Sequence, residues 1–277
     1  MTPPIMYLTD CADPNAQHRL CGRISALFGA APTLFGVGGP APDLEAALTL
    51  LDTLKSATEL LGCQALPSIF LVNVAPRGDT STWPNGTPFC YFWYEGHLVV
   101  STLEGRTLSL VRRYLGVKTV KLVDIPTVMK AALDWTTLTE ADVDKVANTQ
   151  FRSLWFVPLL ARWVWDGQDV PHDEHPLSEM ELGPVVAYVD SFGNCKIVAD
   201  PATVTFVEGQ ELAVRHGQEG QQAPFTESVR CDQRLADVPL GHPALVIGSS
   251  AGGFVELVVQ RGNASKRFGL GVGDWVF

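Results

Sequence analysis

The stretch from Gly167 to Pro184, GQDVPHDEHPLSEMELGP, constrains this chain most, because it divides two different sequence patterns. It is polar and acidic, and Pro171, Pro176 and Pro184 remove amide donors that a helix or an inner strand needs. We read it as a linker over 168–182. Before it, the apolar runs IMYL, TLFGVG, SIFLVNV, FCYFWY, LVVST and TVKLVD alternate with segments of helical period, the pattern of a layered α/β sheet. After it come VVAYVDS, CKIVAD, TVTFVEG, ELAVRHG, PALVIGS and FVELVVQ, short strands punctuated by Gly, Asn and Pro. The expected fold is therefore α/β, with an N-terminal layered α/β domain over 1–167 followed by a small C-terminal β-barrel domain over 183–277.

Two helices stand out in the first half. DLEAALTLLDTLKSATELLG places Leu44, Ala47, Leu48, Leu51, Leu54 and Leu61 near one face, with Asp43 to cap its first turn and Gly62 to end it. SLWFVPLLARWVWDG is apolar on most sides, carries Pro158 near its start and reads as one buried helix. Burial on this scale is open to a chain of 277 residues with 46% hydrophobic and 18% charged residues. The formal charge of −10, with Lys and Arg scattered, argues against nucleic acid or an anionic membrane and for a small-molecule partner. MTPPIMYLTDCADP lacks a basic segment before an apolar one, and no apolar run reaches membrane-spanning length, so a cytoplasmic protein is expected. Cys11, Cys21, Cys63, Cys90, Cys195 and Cys231 have neither CxxC nor zinc-ligand spacing and fit reduced thiols.

Three local patterns invite functional readings that their context weakens. GVGGPA (Gly36 to Ala41) matches a dinucleotide-binding loop between a strand and a helix, but Pro40 removes a donor and Pro42 stiffens the exit. GSSAG (Gly248 to Gly252) matches a nucleophile elbow, yet the following FVELVVQ has the period of a strand, not of the helix an elbow enters. HDEH (His172 to His175) lies between prolines without helical spacing or a second cluster, so no metal is expected there.

Other residues gain meaning together. Asp10 ends the first strand, where a carboxylate in an open α/β sheet can accept from a ligand's hydroxyl pair. In the second half, YVDSFGN offers Asp190, Phe192 and Asn194, and SSAGGFVELVVQRGNAS offers Ser249, Ser250, Asn263 and Ala264. A carboxylate for an ammonium, a ring for stacking and an amide for a base edge suit a zwitterionic purine ligand. The alternative is that Gly193-Asn194 only turns a hairpin.

YLTDCADP, DLEAALTLL, VDSFGN and SSAGGFVELVVQRGNASKRFGLGVGDWV, in that order and spacing, resemble the S-adenosyl-L-methionine (SAM) hydroxide adenosyltransferases, or SAM hydrolases, relatives of the SAM-dependent fluorinase and chlorinase. The terminal segment is the most specific, with a small insertion at Ala251-Gly252. The resemblance implies a homotrimer with SAM bound between one subunit's N-terminal domain and its neighbour's C-terminal domain. It also implies displacement at ribose C5′, with SAM as substrate or ligand and no separate cofactor. Asp10 would hold the ribose hydroxyls, Asp190 the amino group, Phe192 and Asn194 the adenine, Ser249 and Ser250 the carboxylate, and Asn263 and Ala264 would make backbone contacts near adenine.

The family's water-activating groups do not carry over. Its Asp and Arg sit in a Pro-Gly-rich loop that here reads VNVAPRGDTST, with Ala75 and Thr82 at those positions, although Asn73 or Arg77 shifts in under another alignment. Phe151 stands where the family has His, Arg152 where it has Gly or a halide-contacting Ser, and LEG at Leu103 to Gly105 replaces its Asn-Gly signature. Three readings follow: a divergent SAM-cleaving enzyme in which Arg152, Arg77 or Asp79 supplies new electrostatics, an inactive SAM- or adenosine-binding sensor or partner, and a slow hydrolase with unactivated water.

Overall fold

The computed structural model describes residues 2–59, 65–75, 87–103, 105–215 and 226–277. They divide into two compact units, Met1–Gly38 with Thr53–Glu179, and Gly39–Asp52 with Met180–Phe277. Each is a sheet-based unit, so the α/β fold with an N-terminal and a C-terminal sheet domain is what the chain adopts.

In the first unit, β1 (Ile5–Thr9), β2 (Thr33–Gly36), β3 (Ile69–Asn73) and β5 (His97–Thr102) pair in parallel. Three antiparallel strands, β4 (Phe89–Tyr94), β6 (Thr119–Val123) and β7 (Asp173–Pro176), extend the sheet to the order β2-β1-β3-β5-β4-β6-β7. The inner strands β3 and β5 are buried almost throughout, apolar in IFLV and LVV, as strands of a parallel sheet covered on both faces are. Helix α1 (Pro14–Phe28) shows how the sequence sets an element's ends. Asp13 accepts from the Ala16 amide at 3.0 Å, Pro14 occupies the first turn where its missing N–H costs nothing, and Gly29 closes the helix at φ 73°. Ala16, Leu20, Ile24 and Phe28, four residues apart, bury one stripe.

Several expectations need correction here. The stretch read as a linker contributes β7, whose Asp173 to Pro176 pair with Leu122 to Thr119. An edge strand needs only backbone partners on one side, so its polar side chains stay exposed and leave no apolar period to read. The helix read over SLWFVPLLARWVWDG is two, α6 (Arg152–Trp155) and α7 (Val157–Trp165), broken at Phe156. Pro158 cannot donate to the carbonyl four residues back, so the helix restarts with Pro158 in its first turn. Helix α2 (Pro42–Thr58) begins with Ala41 O accepting from Leu44 and Glu45, which puts Asp43 inside the first turn rather than at the cap; the expected Gly62 end lies outside the described residues.

The second unit holds β8 (Val186–Val189), β9 (Cys195–Ile197), β10 (Glu211–Arg215), β11 (Thr226–Asp232), β12 (Pro243–Ile247) and β13 (Val255–Val259). Their order is β10-β11-β12-β13-β9-β8, antiparallel except for β11-β12. The chain end then stitches the two edges together: Arg215 N donates to Val276 O at 2.8 Å, and Val276 N donates to Pro184 O at 2.9 Å. Gly183 permits this closure, since a Cβ there would lie 1.7 Å from the Trp275 ring. TVTFVEG, expected as a strand, is a run of turns closed by Thr203 N to Asp200 O and Phe206 N to Pro201 O, and TESVRCD, not singled out from the sequence, forms β11.

Candidate functional site

Two sets of sequence-predicted residues come together, one in each unit. In the first unit, the chain moves from β1 outward to β2 and then back across to β3 on the other side. The order therefore reverses between β1 and β3, and ligands of open α/β sheets bind outside the carboxyl ends at such a switch point. Asp10 lies there, directly after β1. Its amide donates to Asn73 O at 3.1 Å, Asn73 Nδ2 donates to Asp10 Oδ1 at 3.4 Å, and Cys11 Sγ lies 3.7 Å from the same oxygen. The carboxylate is thus held by the end of the neighbouring strand, with Asn73 opposite Thr9 in register. Asn73 ends IFLVN as Asp10 ends YLTD, a polar residue closing an apolar strand, and that is the signal by which it can be found.

Gly36 ends β2 on the same edge, and a Cβ there would lie 2.6 Å from Ala12 Cβ, so the glycine of GVGGPA serves close packing of the loop after β1. Phe89 sits on this edge as well, opposite Thr102 at the end of β5. Arg152, at the start of α6, places its guanidinium 5.9 Å from the Phe89 ring. Burial draws that guanidinium below the usual arginine range, and it remains charged at neutral pH. The preceding Phe151 carries the Arg19 guanidinium 5.0 Å above its ring, and the next residue, Ser153, accepts from the buried Tyr7 hydroxyl at 2.9 Å. Arg77, Asp79 and Thr82 lie outside the described residues, as does Cys63.

In the second unit, the VDSFGN break is a tight hairpin built by Asp190. Its Oδ1 accepts from the Phe192 and Asn194 amides, and its Oδ2 from Asn194 Nδ2, all at 2.9 Å. Gly193 takes φ 85°, and a Cβ there would fall 2.1 Å from Asn263 Nδ2. Asn263 in turn accepts from the Lys266 amide at 2.7 Å, capping α8 (Ala264–Phe268), while Ser265 N donates to Gly193 O at 2.9 Å. So Asp190, Asn194, Asn263 and the start of α8 at Ala264 form one assembly. Phe192 projects from it, 73% exposed.

The Ser249–Ser250 segment faces a charged row that sequence reasoning passed over. Lys196 on β9 donates to Ser250 Oγ at 2.7 Å, lies 5.8 Å from the Tyr188 ring, and stands opposite Glu256 of β13 in register. Asp52 Oδ1 accepts from the Ala251 amide at 2.6 Å. Burial raises the Glu256 carboxyl, Lys196 opposes that shift, and Asp190 and Asp52 add to it. A lone charge inside CKI and another inside VEL, in neighbouring strands, were the readable signal. GSSAG leads through a short 3-10 turn into β13, as the strand period required.

Residues 184–277 match the family model described as SAM hydroxide adenosyltransferase C-terminal domain. No curated protein matches the chain. Among solved structures, an uncharacterized conserved protein from Thermotoga maritima superposes with a TM-score of 0.66 at 16% identity over 98% of both chains. A conserved hypothetical protein from Thermus thermophilus does so with a TM-score of 0.59 at 18% identity, over 99% of this chain and 100% of that one. At such identities these two speak for the fold alone, which they share along nearly its full length. The resemblance to the SAM hydroxide adenosyltransferases that the motifs carried is thereby shown for the C-terminal domain of this chain, residues 184–277.

Proposed function

We propose that the chain binds SAM, or an adenosine derivative close to it, and cleaves it by displacement at ribose C5′. The observation that carries this reading is the Asp10 carboxylate at the β1-β3 switch point, steadied by Asn73 and suited to a ribose hydroxyl pair. The C-terminal domain match supplies the ligand class. In the step itself, a lone pair on the nucleophile forms the bond to C5′, the C5′–sulfur bond breaks, and its electrons return to sulfur as methionine leaves; with water the attacking oxygen then gives up a proton.

A chain without the family's activating triad works by positioning and by excluding water. Asp10 holds the ribose, the Asp190–Asn194 turn holds the ammonium and adenine, and Arg152 supplies positive charge for an anionic nucleophile. The same reading carries a homotrimeric assembly, which sedimentation measures. A second reading, binding without turnover, is favoured by Phe151, since its ring packs under Arg19 where the family places a histidine.

Calorimetric titration with SAM, followed by chromatography of the incubated mixture, tests both. Adenosine or a 5′-substituted adenosine together with methionine supports cleavage; bound but intact SAM supports the second reading; absence of binding refutes the ligand. Asp10→Ala is expected to weaken binding about tenfold or more, the scale of one charge-assisted hydrogen bond.

A further inference from the structure

Lys196 belongs to no motif of the resemblance, yet the fold spends several groups on holding it. Its neighbours Cys195 and Ile197 are fully buried in the core of the second unit, so the Lys196 side chain leaves from the other face of β9. There the Tyr188 ring lies along one side of its ammonium and Glu256 stands across from it on β13. The far end donates to Ser250 Oγ at 2.7 Å, and Ser250 is 2% exposed. A lysine free in solvent loses rotamer entropy on meeting a ligand; this one has been ordered in advance.

We propose that Lys196 is a specificity residue that reads the carboxylate of an amino-acid-bearing adenosine ligand jointly with Ser250. The inference rests on the ligand class proposed above. An ammonium has three donors and Ser250 takes one of them. Because the Ser250 hydroxyl accepts from Lys196, its own proton remains to be given, and the two donor groups stand 2.7 Å apart. The 3-10 turn around Ser250 is fixed from the other side by Asp52, which engages the Ala251 amide, with Ala251 at φ 51° and Gly252 at φ 82°. Gly248 completes the frame, since a Cβ there would lie 2.1 Å from Glu256 Oε1.

The surrounding acids decide the ligand's charge pattern. Glu256 feels Lys196 with one sign and Asp190 and Asp52 with the other, so groups of both charges meet around this carboxyl, and the two aspartates suit a ligand ammonium beside the carboxylate. Burial raises the Glu256 carboxyl and Lys196, opposite it across the ladder, opposes that shift. A zwitterion therefore fits this spot better than a simple anion or a simple cation.

The test compares SAM with decarboxylated SAM, which keeps the nucleoside, sulfonium and ammonium and lacks only the carboxylate. Titrations use the full-length protein and its Lys196→Met and Ser250→Ala variants, each with a thermal melt. We expect wild type to prefer SAM by about 10- to 100-fold, the worth of a charge-assisted contact, and Lys196→Met to abolish that preference while binding decarboxylated SAM as before. Ser250→Ala, which leaves the charge, is expected to reduce the preference by a smaller factor. Equal loss of both ligands in Lys196→Met, or equal affinity of wild type for both, overturns the role of Lys196 and leaves the ligand class standing. Failure of wild type to bind either ligand overturns the ligand class and this inference with it.

Discussion

Replacing Asp190 with alanine separates what the VDSFGN turn does for the fold from what it does for a ligand. The carboxylate accepts three hydrogen bonds, two from the backbone amides of Phe192 and Asn194 and one from Asn194 Nδ2. A bond to a charged acceptor is worth about 1.5–3 kcal/mol net when removed from a protected site. This hairpin is half-exposed, so water takes over part of each bond, and we expect Asp190→Ala to cost about 2 kcal/mol in all. Asp190→Asn keeps the oxygen that serves the two backbone amides and loses the one serving Asn194 Nδ2, so it should cost about 1 kcal/mol. Urea denaturation of the ligand-free protein, followed by tryptophan fluorescence, reads both differences as midpoint shifts at constant m-value. If both variants unfold with the wild-type midpoint, the three bonds do not stabilise the turn, and the structural account of Asp190 is wrong.

Two further predictions concern stability. Gly193→Ala forces a Cβ onto a residue at φ 85° and into the Asn263 side chain, which cannot swing away without uncapping α8; strain and overlap together predict a loss of about 3 kcal/mol, and a wild-type melting temperature would refute it. His97 is 1% exposed and accepts from the Ser68 amide through Nδ1, so a second ring proton must break that bond. Burial accordingly lowers its pKa below the usual 6.5. Below that value the unfolded chain binds a proton that the folded one refuses, so this contribution is complete above about pH 6.5 and is lost as pH falls toward the folded pKa, with a slope of at most about 1.4 kcal/mol per unit. His97→Asn, which retains an acceptor and does not titrate, should flatten the stability profile over that range; an unchanged slope would refute the assignment.

The parts legible in the sequence are those in which burial dictates residue type. β1, β3 and β5 are buried on both faces and read as apolar runs, and Asp13-Pro14 announces α1 because an orphan amide needs an acceptor and the first turn tolerates proline. Asp10 was legible for the same reason, as the first polar side chain after a buried strand. The elements that escaped are set by backbone partners instead. β7 forms from polar residues at an edge, and the alternation of TVTFVEG is overruled by the Asp200-Pro201 turn that folds it back. Asn73 was read only against the family's activating Asp, and Lys196 and Glu256 not at all, because their meaning lies in register across strands, Thr9 with Asn73 and Lys196 with Glu256, and register is a property of pairing rather than of either strand alone.

This difference ranks the candidate residues as tests of function. Asp190 and Asn263 each hold a turn or a helix end, so the physical demands of the hairpin and of α8 would keep them in place even in a chain that binds nothing. Loss of binding on changing them mixes two causes. Lys196 is placed otherwise: its hydrogen bond goes to the Ser250 side chain rather than to a backbone turn or a helix end, and it lies on the face of β9 opposite the core. The Ser250 hydroxyl and the Glu256 carboxylate across the ladder hold that ammonium ready for a ligand carboxylate, the role proposed for it. A change at Lys196 that alters ligand preference while leaving the melting temperature in place therefore speaks to recognition directly, which no change at Asp190 can do.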